Sequence, residues 1–304
     1  MTPSWAPPET PADAAGPVAR RRPAGVARMA PLATQPVPVP LRPLTMGEVL
    51  DGAFETIRIA PGLILGLSAA VVVPTQLVLT VLDRDLLDGN AARYLLARPW
   101  RYLVDSGSGE GDPQALAVWL VLVFGLTVPA VCAVGIGRVL SAWYAGSAID
   151  ARPAGVEMVR RTWVVLLTAP VRAIGSLLIG LPLVFLLLTG PVIGIERSGP
   201  LEALRRSWTL VQRRFGSALG FYLVSAFLVL VLTATLNLVP LLFGQLFLGD
   251  ARWILMVTSS IAVSVGLTAF VAAGTCLLYL DSRVRVEGLD LELLLVDQWP
   301  ETRS

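Results

Sequence analysis

Beyond residue 58 the chain is dominated by long apolar stretches. Four of them, at 59–82, 113–137, 215–249 and 253–280, contain no charged residue. Each is long enough for one crossing of a bilayer, which takes about 20 apolar residues in helical form. Pro240 predicts an end for the third helix, because proline cannot continue the hydrogen-bond ladder. The pattern predicts an all-α integral membrane helical bundle.

A fifth apolar stretch, at 162–195, fits neither one crossing nor two. It carries Arg172 and has Pro182 near its middle. Its length corresponds to ~50 Å of helix, whereas two full spans require ~60 Å. We therefore expect two short helices with a break near residues 180–182, or a re-entrant hairpin.

The distribution of arginine along the chain indicates whether this stretch crosses the membrane once or enters and returns. Arginine-rich segments beside membrane spans stay in the cytoplasm. The chain before the first span and the segment 138–161 are rich in arginine, whereas the loop 83–112 is net acidic. The segment 197–214 has five arginines and stays on the same side only if 162–195 enters and returns. We predict six membrane helices, with five as the alternative, in a bacterial plasma membrane with both termini cytoplasmic.

Three short segments share one spacing. Residues 45–54, 154–163 and 199–208 each place an aromatic residue six positions after a glutamate. Each segment is predicted to form an amphipathic helix at the cytosolic interface that leads into a membrane hairpin. An internal repeat of three such units explains the shared spacing. The alternative is that unrelated amphipathic helices show the same spacing because they meet the same physical requirements.

The predicted helix starts differ among the three segments. Thr45 and Glu48 have the spacing of a capping box, in which side chain and backbone bond reciprocally. The third segment places Gly199 at the N-cap and Pro200 at the first helical position, whereas Ala154 makes a weaker start for the second. The apolar residues of the third helix recur at helical spacing and share one face: Leu201, Leu204, Trp208, Val211 and Phe215.

The organisation of the chain follows from these patterns. Residues 1–42 are rich in proline, alanine and arginine without apolar periodicity, which predicts a disordered cytosolic tail. Residues 43–295 form the membrane domain, whose three units start near residues 45, 154 and 199. Residues 296–304 form a C-terminal tail.

Composition narrows the possible chemistry. Charged residues make up 15% of the chain, against about 25% in soluble domains. Histidine, the commonest metal ligand and general base, does not occur in the sequence. Cys132 and Cys276 lie inside apolar stretches and lack the spacing of a metal or redox site. A net charge of +2 does not indicate nucleic-acid binding. No catalytic, cofactor-binding or metal-ligating residue is predicted, and we do not expect an enzyme.

Three stretches carry a resemblance to a known family. They are "LRPLTMGEVLDGAFETIR" before the first span, "IERSGPLEALRRSWTLVQRRFG" after the hairpin, and "LLYLDSRVRVEGLDLELL" at the end of the last span. In this order they resemble the actinobacterial membrane domain that occurs alone or attached to glycerophosphoryl diester phosphodiesterases. The resemblance implies a multi-helix membrane module of undefined activity and supplies no catalytic residues.

The candidate site residues are charged. The third amphipathic helix offers contacts for lipid headgroups, or for topology alone, through Arg205, Arg206, Arg213 and Arg214. Arg172 is a candidate intramembrane charge that binds an anion or lipid phosphate. The alternatives are that it snorkels to the interface or that it marks a segment that does not reach the bilayer centre. A cytosolic charge network with Arg205 and Arg206 is predicted for Glu196, Asp281, Arg283, Arg285 and Glu287.

The expected function is a scaffold or lipid-interacting module without catalytic activity. Membrane lipids of the anionic leaflet are the expected partners, together with a separate membrane or lipid-metabolism protein. The alternative is a small transporter for a lipid-like or anionic substrate. For a transporter, the polar residues in the apolar stretches are few: mainly Thr75, Gln76, Asn237 and Arg172.

Overall fold

A computed structural model describes residues 39–40, 42–86, 113–147, 151–177, 181–243, 246 and 252–288. In these ranges the regular secondary structure is helical and no strand occurs. The helices are α1 (Met46–Ile59), α2 (Pro61–Leu86), α3 (Pro113–Tyr144), α4 (Ala151–Leu177), α5 (Leu181–Phe185), α6 (Thr189–Glu196), α7 (Pro200–Arg213), α8 (Phe215–Phe243) and α9 (Arg252–Glu287).

Four helices in the described part of the chain are long and apolar enough to cross a membrane. These segments are Pro61–Val81, Val123–Tyr144, Phe215–Pro240 and Ile254–Glu287, with mean hydropathies between 1.9 and 2.3. The predicted all-α membrane bundle is confirmed. Helix α8 continues three residues past the expected end at Pro240, although the span itself ends there.

The stretch 162–195 forms a hairpin rather than a fifth long span. Helix α4 ends at Leu177 and α5 begins at Leu181, and residues 178–180, beside the break expected near 180–182, lie outside the described residues. The guanidinium of Arg161, before the hairpin, donates to the carbonyl oxygen of Arg197, after it, at 2.8 Å. The two ends of the stretch therefore lie together, and the chain enters and returns.

The hairpin is too short for two full crossings. The apolar part of α4, residues 162–177, is about 24 Å long, and Pro182–Glu196 is an apolar segment of less than full-span length. Near the tip, the carbonyl oxygen of Phe185 accepts a hydrogen bond of 2.6 Å from Ser207 in α7. The described fold thus has four spans of full length and a hairpin of shorter apolar segments, as expected if 162–195 forms two short helices or a re-entrant hairpin.

The three predicted amphipathic segments begin in different ways. Helix α1 has the predicted capping box, with Thr45 as N-cap and Glu48 as its partner. Helix α7 starts as predicted, with Gly199 at the N-cap and Pro200 next. The prediction of Ala154 as an N-cap is wrong, because α4 is already helical at Ala151 and Ala154 lies buried inside it.

The second unit also differs in how it enters its membrane segment. The helix breaks between α1 and α2 at Ala60, and between α7 and α8 at Arg214. Each break comes immediately before the residue that lies seven positions after the aromatic residue of the unit, which is Phe54 in the first unit and Trp208 in the third. In the second unit that seventh residue is Pro170, and α4 continues through it without ending. The amphipathic and membrane parts of this unit therefore form one helix.

The three amphipathic segments bury equivalent positions. The residue directly after the glutamate is buried in every segment: Val49, Met158 and Ala203. The residue eight positions after the glutamate is also buried: Thr56, Val165 and Leu210. The anchor aromatics point the other way: Phe54, Trp163 and Trp208 are 53%, 59% and 46% exposed. The shared register favours an internal repeat. It also shows that each segment has a protein-facing edge and an exposed apolar edge.

The apolar face predicted for α7 is divided between these two edges. Leu201 and Trp208 are exposed, whereas Val211 is buried. The edge that packs against the protein consists mainly of Ala203, Ser207 and Leu210. Small residues on this edge let α7 approach its neighbours closely, and larger apolar side chains are left at the surface.

The core lies toward the end of the bundle where α1, α6 and α7 surround the C-terminal half of α9. Helix α6 packs tightly on α3, since a Cβ atom on Gly190 or Gly194 would lie 2.7 or 2.6 Å from a carbonyl oxygen of α3. Cys132 and Cys276 are free and buried in this core. Away from it, the spans of α2 and α8 are mostly exposed, as lipid-facing helices are.

Candidate functional site at the charged end of the bundle

The charged end of the bundle comprises residues 39–48, 196–214 and 279–287, and its most buried carboxylate is Asp281. This side chain is 3% exposed and accepts the backbone N–H of Leu44 at 2.8 Å. It also pairs with Arg285 at 2.8 Å and with Arg214 at 3.5 Å. Arg285 donates in turn to the carbonyl oxygen of Leu44 at 2.6 Å. The chain before α1 is thereby fixed to the last turns of α9.

A second charge cluster joins the hairpin, α7 and α9. Glu196 pairs with Arg206 at 3.1 Å and accepts the hydroxyl of Tyr279 at 2.5 Å. Arg206 also pairs with Glu287, which pairs with Arg283 at 2.8 Å. Burial by itself lowers the pKa of Arg206, but the carboxylates of Glu196 and Glu287 outweigh it and hold this pKa above its ordinary value. The cluster favours a charged Arg206 at every physiological pH.

The predicted network is therefore present as two clusters. Arg206 meets Glu196, Glu287 and, through Glu287, Arg283, whereas Asp281 and Arg285 bind Arg214 and the Leu44 backbone. Arg205 was expected to join the network but forms no ion pair among the described residues. Its neighbour Arg206 faces the cluster, and one step along a helix turns Arg205 away by about 100°.

Sequence reasoning missed several contacts at this end. Arg161 pairs with Glu157 at 3.1 Å, one helical turn away, and its bond to the Arg197 carbonyl joins the hairpin ends. Arg197 has a left-handed backbone, with φ of 57°, where α6 ends. The i,i+4 spacing of Glu157 and Arg161 indicated their pairing. Nothing local indicated the pairing of Tyr279 with Glu196.

Part of the predicted tail belongs to the charged end. Residues 1–38 lie outside the described residues, but Val39 is buried and its carbonyl oxygen accepts the hydroxyl of Tyr144 at 2.7 Å. Arg42 pairs with Glu48. Hydrogen bonds from the backbone and hydroxyl of Thr45 hold the pKa of Glu48 below its ordinary value. Val39 and Arg42, which the prediction assigned to the tail, thus make contacts with the membrane domain. The C-terminal tail predicted at 296–304 also lies outside the described residues.

The four arginines proposed as lipid contacts fall into two pairs. Arg206 and Arg214 are engaged by carboxylates of the bundle, as described above. Arg205 and Arg213 are exposed on α7. Only the second pair is available to anions outside the protein, because the first already has its counter-charges.

A groove opens beside Arg205 between α4, α5 and α7. Its volume is about 670 Å³. The Trp208 ring forms part of the wall and stacks on Phe185, with ring centroids 4.2 Å apart. The residues lining it are Val171, Ile174, Gly175, Pro182, Leu186, Leu204, Arg205, Trp208 and Thr209. Arg205 is the one charged residue among them.

Arg172 lies buried in α4. It is 8% exposed, and its Nε and Nη1 atoms have no hydrogen-bond partner. A snorkelling arginine extends its charge to an exposed position, and this side chain does not. Arg172 is therefore a buried cation without a counter-charge among the described residues, and its binding of an anion or lipid phosphate stays a prediction.

A separate cavity of about 230 Å³ lies among α2, α3, α8 and α9. Gln76 in its wall donates to Ser264 at 3.0 Å. The polar residues lining it are Thr75, Gln76, Thr233, Ser264 and Thr268. Asn237 does not line this cavity; its amide donates to the Thr233 carbonyl oxygen at 2.9 Å. Sequence reasoning identified Thr75 and Gln76, but the three residues from α8 and α9 had no spacing that linked them.

Fold and site together define an all-α integral membrane protein with a charged end. In the part of the chain that the structure describes, no group of three or more cysteine and carboxylate side chains is placed to hold a metal ion. Comparison of the chain with protein-family models, curated proteins and solved structures finds no match.

Proposed function

We propose that this chain is a non-catalytic, multi-pass protein of a bacterial plasma membrane that acts as a lipid-interacting scaffold. Its charged end lies at the cytosolic surface, and both termini are cytoplasmic. The excess of arginine at this end supports the orientation, because positively charged segments beside spans remain in the cytoplasm. The resemblance to the membrane domain of glycerophosphoryl diester phosphodiesterases supports a partnership with a separate lipid-metabolism protein.

The observation that carries this proposal is the shared exposure of three aromatic side chains. Phe54, Trp163 and Trp208 occupy the same position in their units and all face outward. Aromatic side chains are enriched where membrane meets water. Because the opposite edge of each segment packs against the protein, the outward edges are free to contact lipid.

Charge adds to this apolar contact. Arg205 and Arg213 are exposed on α7, next to the outward edge that contains Trp208. Near an anionic leaflet each arginine contributes about 1 kcal/mol of attraction. The ion pairs of the half-buried Glu196 and the buried Asp281 hold α7 in a fixed orientation. Its exposed arginines are therefore presented to the membrane surface without further rearrangement.

Lipid retention by the purified full chain tests the proposal. A double variant, Arg205→Gln with Arg213→Gln, should lose retained phosphatidylglycerol in native mass spectrometry by up to about thirtyfold, since two such charges together contribute ~2 kcal/mol. Arg58→Gln removes one exposed charge from α1 and should lose at most about fivefold, so it calibrates the effect of a single arginine outside α7. Unchanged retention in the double variant would contradict lipid interaction at this surface.

Reporter fusions test the orientation separately. Fusions after residues 110, 155, 210 and 295 should report outside, inside, inside and inside. An outside signal at residue 210 would contradict the hairpin, and an outside signal at 295 would contradict the cytoplasmic C-terminus.

One observation favours a transporter as the second candidate. The cavity among α2, α3, α8 and α9 collects polar side chains from three helices in an otherwise apolar region. Transport of a fluorescent phosphatidylglycerol across proteoliposome membranes tests this function. If the protein is a transporter, the rate of lipid transport should exceed that of protein-free vesicles. Gln76→Leu should lower this rate, whereas Thr258→Val, at an exposed position outside the cavity, should not. A rate equal to that of empty vesicles excludes this candidate for that lipid.

A further inference from the structure

We propose that the groove between α4, α5 and α7 binds one anionic phospholipid, with an acyl chain along the groove and the phosphate at Arg205. This inference rests on the proposed lipid interaction and assigns it to a particular site. Its evidence consists of the shape of the groove, the state of Arg205 and the contacts that hold the walls in place.

The groove has the dimensions and lining of a lipid site. Its volume of about 670 Å³ lies within the ~300–1,000 Å³ range of small-molecule pockets. Val171 and Ile174 form one apolar wall on α4, and Leu204 belongs to the facing wall on α7. An acyl chain in the groove would cover these apolar walls and shield them from polar groups.

Arg205 supplies the charge that the lining otherwise lacks. It is exposed and has no ion-pair partner among the described residues, whereas the adjacent Arg206 binds both Glu196 and Glu287. A phosphate at the mouth of the groove would therefore meet an arginine that has no competing carboxylate. Arginine also binds phosphate through two parallel hydrogen bonds, which a single ammonium cannot do.

Trp208 provides a second polar contact at the same place. Its ring lines the groove, and its indole N–H has no hydrogen-bond partner among the described residues. Indole N–H groups donate readily to lipid headgroups while the ring remains in apolar surroundings. Arg205 and Trp208 lie nearly one helical turn apart on α7, so both can reach one headgroup.

The walls are fixed without a ligand. Phe185 stacks on Trp208 with ring centroids 4.2 Å apart, and its carbonyl oxygen accepts the Ser207 hydroxyl at 2.6 Å. Gly175 and Pro182 close the hairpin, where a Cβ atom on the glycine would lie 3.2 Å from the proline ring. Binding to a preformed groove loses little affinity to ordering.

The charge of the lining favours an anionic over a zwitterionic lipid. Among the described residues that line the groove, Arg205 is the one charged side chain, and no carboxylate is placed to pair with the ammonium group of phosphatidylethanolamine. Phosphatidylglycerol carries a phosphate without that ammonium, so it matches the single positive charge.

Photo-crosslinking of the full chain in proteoliposomes tests the site. A phosphatidylglycerol with a photoreactive acyl chain should label peptides of α4 and α7 in the wild-type protein. Arg205→Gln should reduce this labelling about fivefold, as expected for the loss of one arginine at an anionic site. Arg160→Gln, which removes an exposed arginine of α4 outside the groove, should change it less than twofold.

Filling the groove provides an independent variant. Val171→Trp places a large ring where the acyl chain would lie and should abolish labelling while Arg205 remains. Ile174→Trp tests the same point if the first variant does not elute as a monodisperse species. Equivalent labelling in both filled variants and the wild type would overturn the proposal.

The remaining outcomes separate this site from the broader function. Equal losses in Arg205→Gln and Arg160→Gln would show diffuse attraction and overturn the groove, while leaving the lipid-interacting surface intact. Equal labelling by a photoreactive phosphatidylethanolamine would overturn the headgroup preference and therefore the assignment. Unchanged phosphatidylglycerol retention in the double variant, by contrast, contradicts the proposed function itself.

Discussion

Replacing Asp281 with alanine should destabilise the charged end more than any other single carboxylate change. The side chain is buried and combines three contacts: the Leu44 backbone N–H, Arg285 and Arg214. Its removal leaves a buried backbone donor without an acceptor and two arginines without their counter-charge. The segment before α1 also loses a contact that fixes it to α9.

The magnitude follows from these contacts. A hydrogen bond to a charged acceptor contributes about 1.5–3 kcal/mol, and removing one partner of a fully buried ion pair costs about 3–5 kcal/mol. The side chains of Arg214 and Arg285 are 21% and 33% exposed, so water partly replaces the lost carboxylate. The expected decrease in the free energy of unfolding is therefore about 2–4 kcal/mol.

Unfolding of the purified protein in mixed micelles measures this decrease. Asp281→Asn is the informative second variant, because it keeps an acceptor for the Leu44 N–H and loses the charge; it should fall between alanine and wild type. Glu55→Ala removes the exposed pair with Arg58 and should cost under about 1 kcal/mol. Chymotrypsin should also cleave after Leu44 faster in Asp281→Ala. A loss below about 1 kcal/mol with unchanged cleavage would refute the reasoning.

Three further substitutions test separate features by the same unfolding measurement. Gly194→Ala places a methyl group 2.6 Å from the Val134 carbonyl oxygen and should lower the free energy of unfolding by about 1–3 kcal/mol. Gly66→Ala has open space around it and should be neutral or stabilising. Equal effects of the two substitutions would contradict tight packing of α6 on α3. Thr45→Ala removes the N-cap of α1 and should cost about 1 kcal/mol, and no loss would mean that the capping box contributes nothing. Arg172→Met removes a buried, unpartnered charge and should stabilise the protein by about 1–3 kcal/mol; a loss of stability would instead indicate a bound anion or an undetected partner.

The features that sequence predicted correctly are local ones. The capping box of Thr45 and Glu48 depends on four consecutive residues, and the start of α7 depends on Gly199 and Pro200. The long spans depend on composition over about 20 residues. In each case the free energy that determines the structure comes from neighbours in sequence, so the pattern is sufficient.

The start of α4 shows where local patterns fail. Ala154 aligns with the N-caps of the other units, yet α4 begins earlier and passes through Pro170. Ala154, Met158 and Val165 are all buried along this helix. Burial of one continuous face therefore stabilises α4 by more than the weak N-cap and Pro170 destabilise it. A local residue pattern does not show how much surface each residue buries, so it could not predict this outcome.

The candidate site was predictable in composition but not in detail. The arginines of α7 look equivalent in sequence, and only packing separates the paired Arg206 from the unpaired Arg205. The contact between Leu44 and Asp281 joins residues 237 positions apart. It uses a backbone donor that any residue would supply, so no side-chain pattern could indicate it.

The C-terminal half of α9 connects the three units, each by different chemistry. The first unit contacts it through the Leu44 backbone and through Phe54, whose ring lies 4.6 Å from that of Phe270. The hairpin of the second unit reaches it through Glu196 and Tyr279, and the third through Arg206. Because one helix makes all these contacts, α9 holds the three units in a fixed mutual arrangement. The proposed scaffold function requires such an arrangement, which a freely moving set of amphipathic helices would not provide.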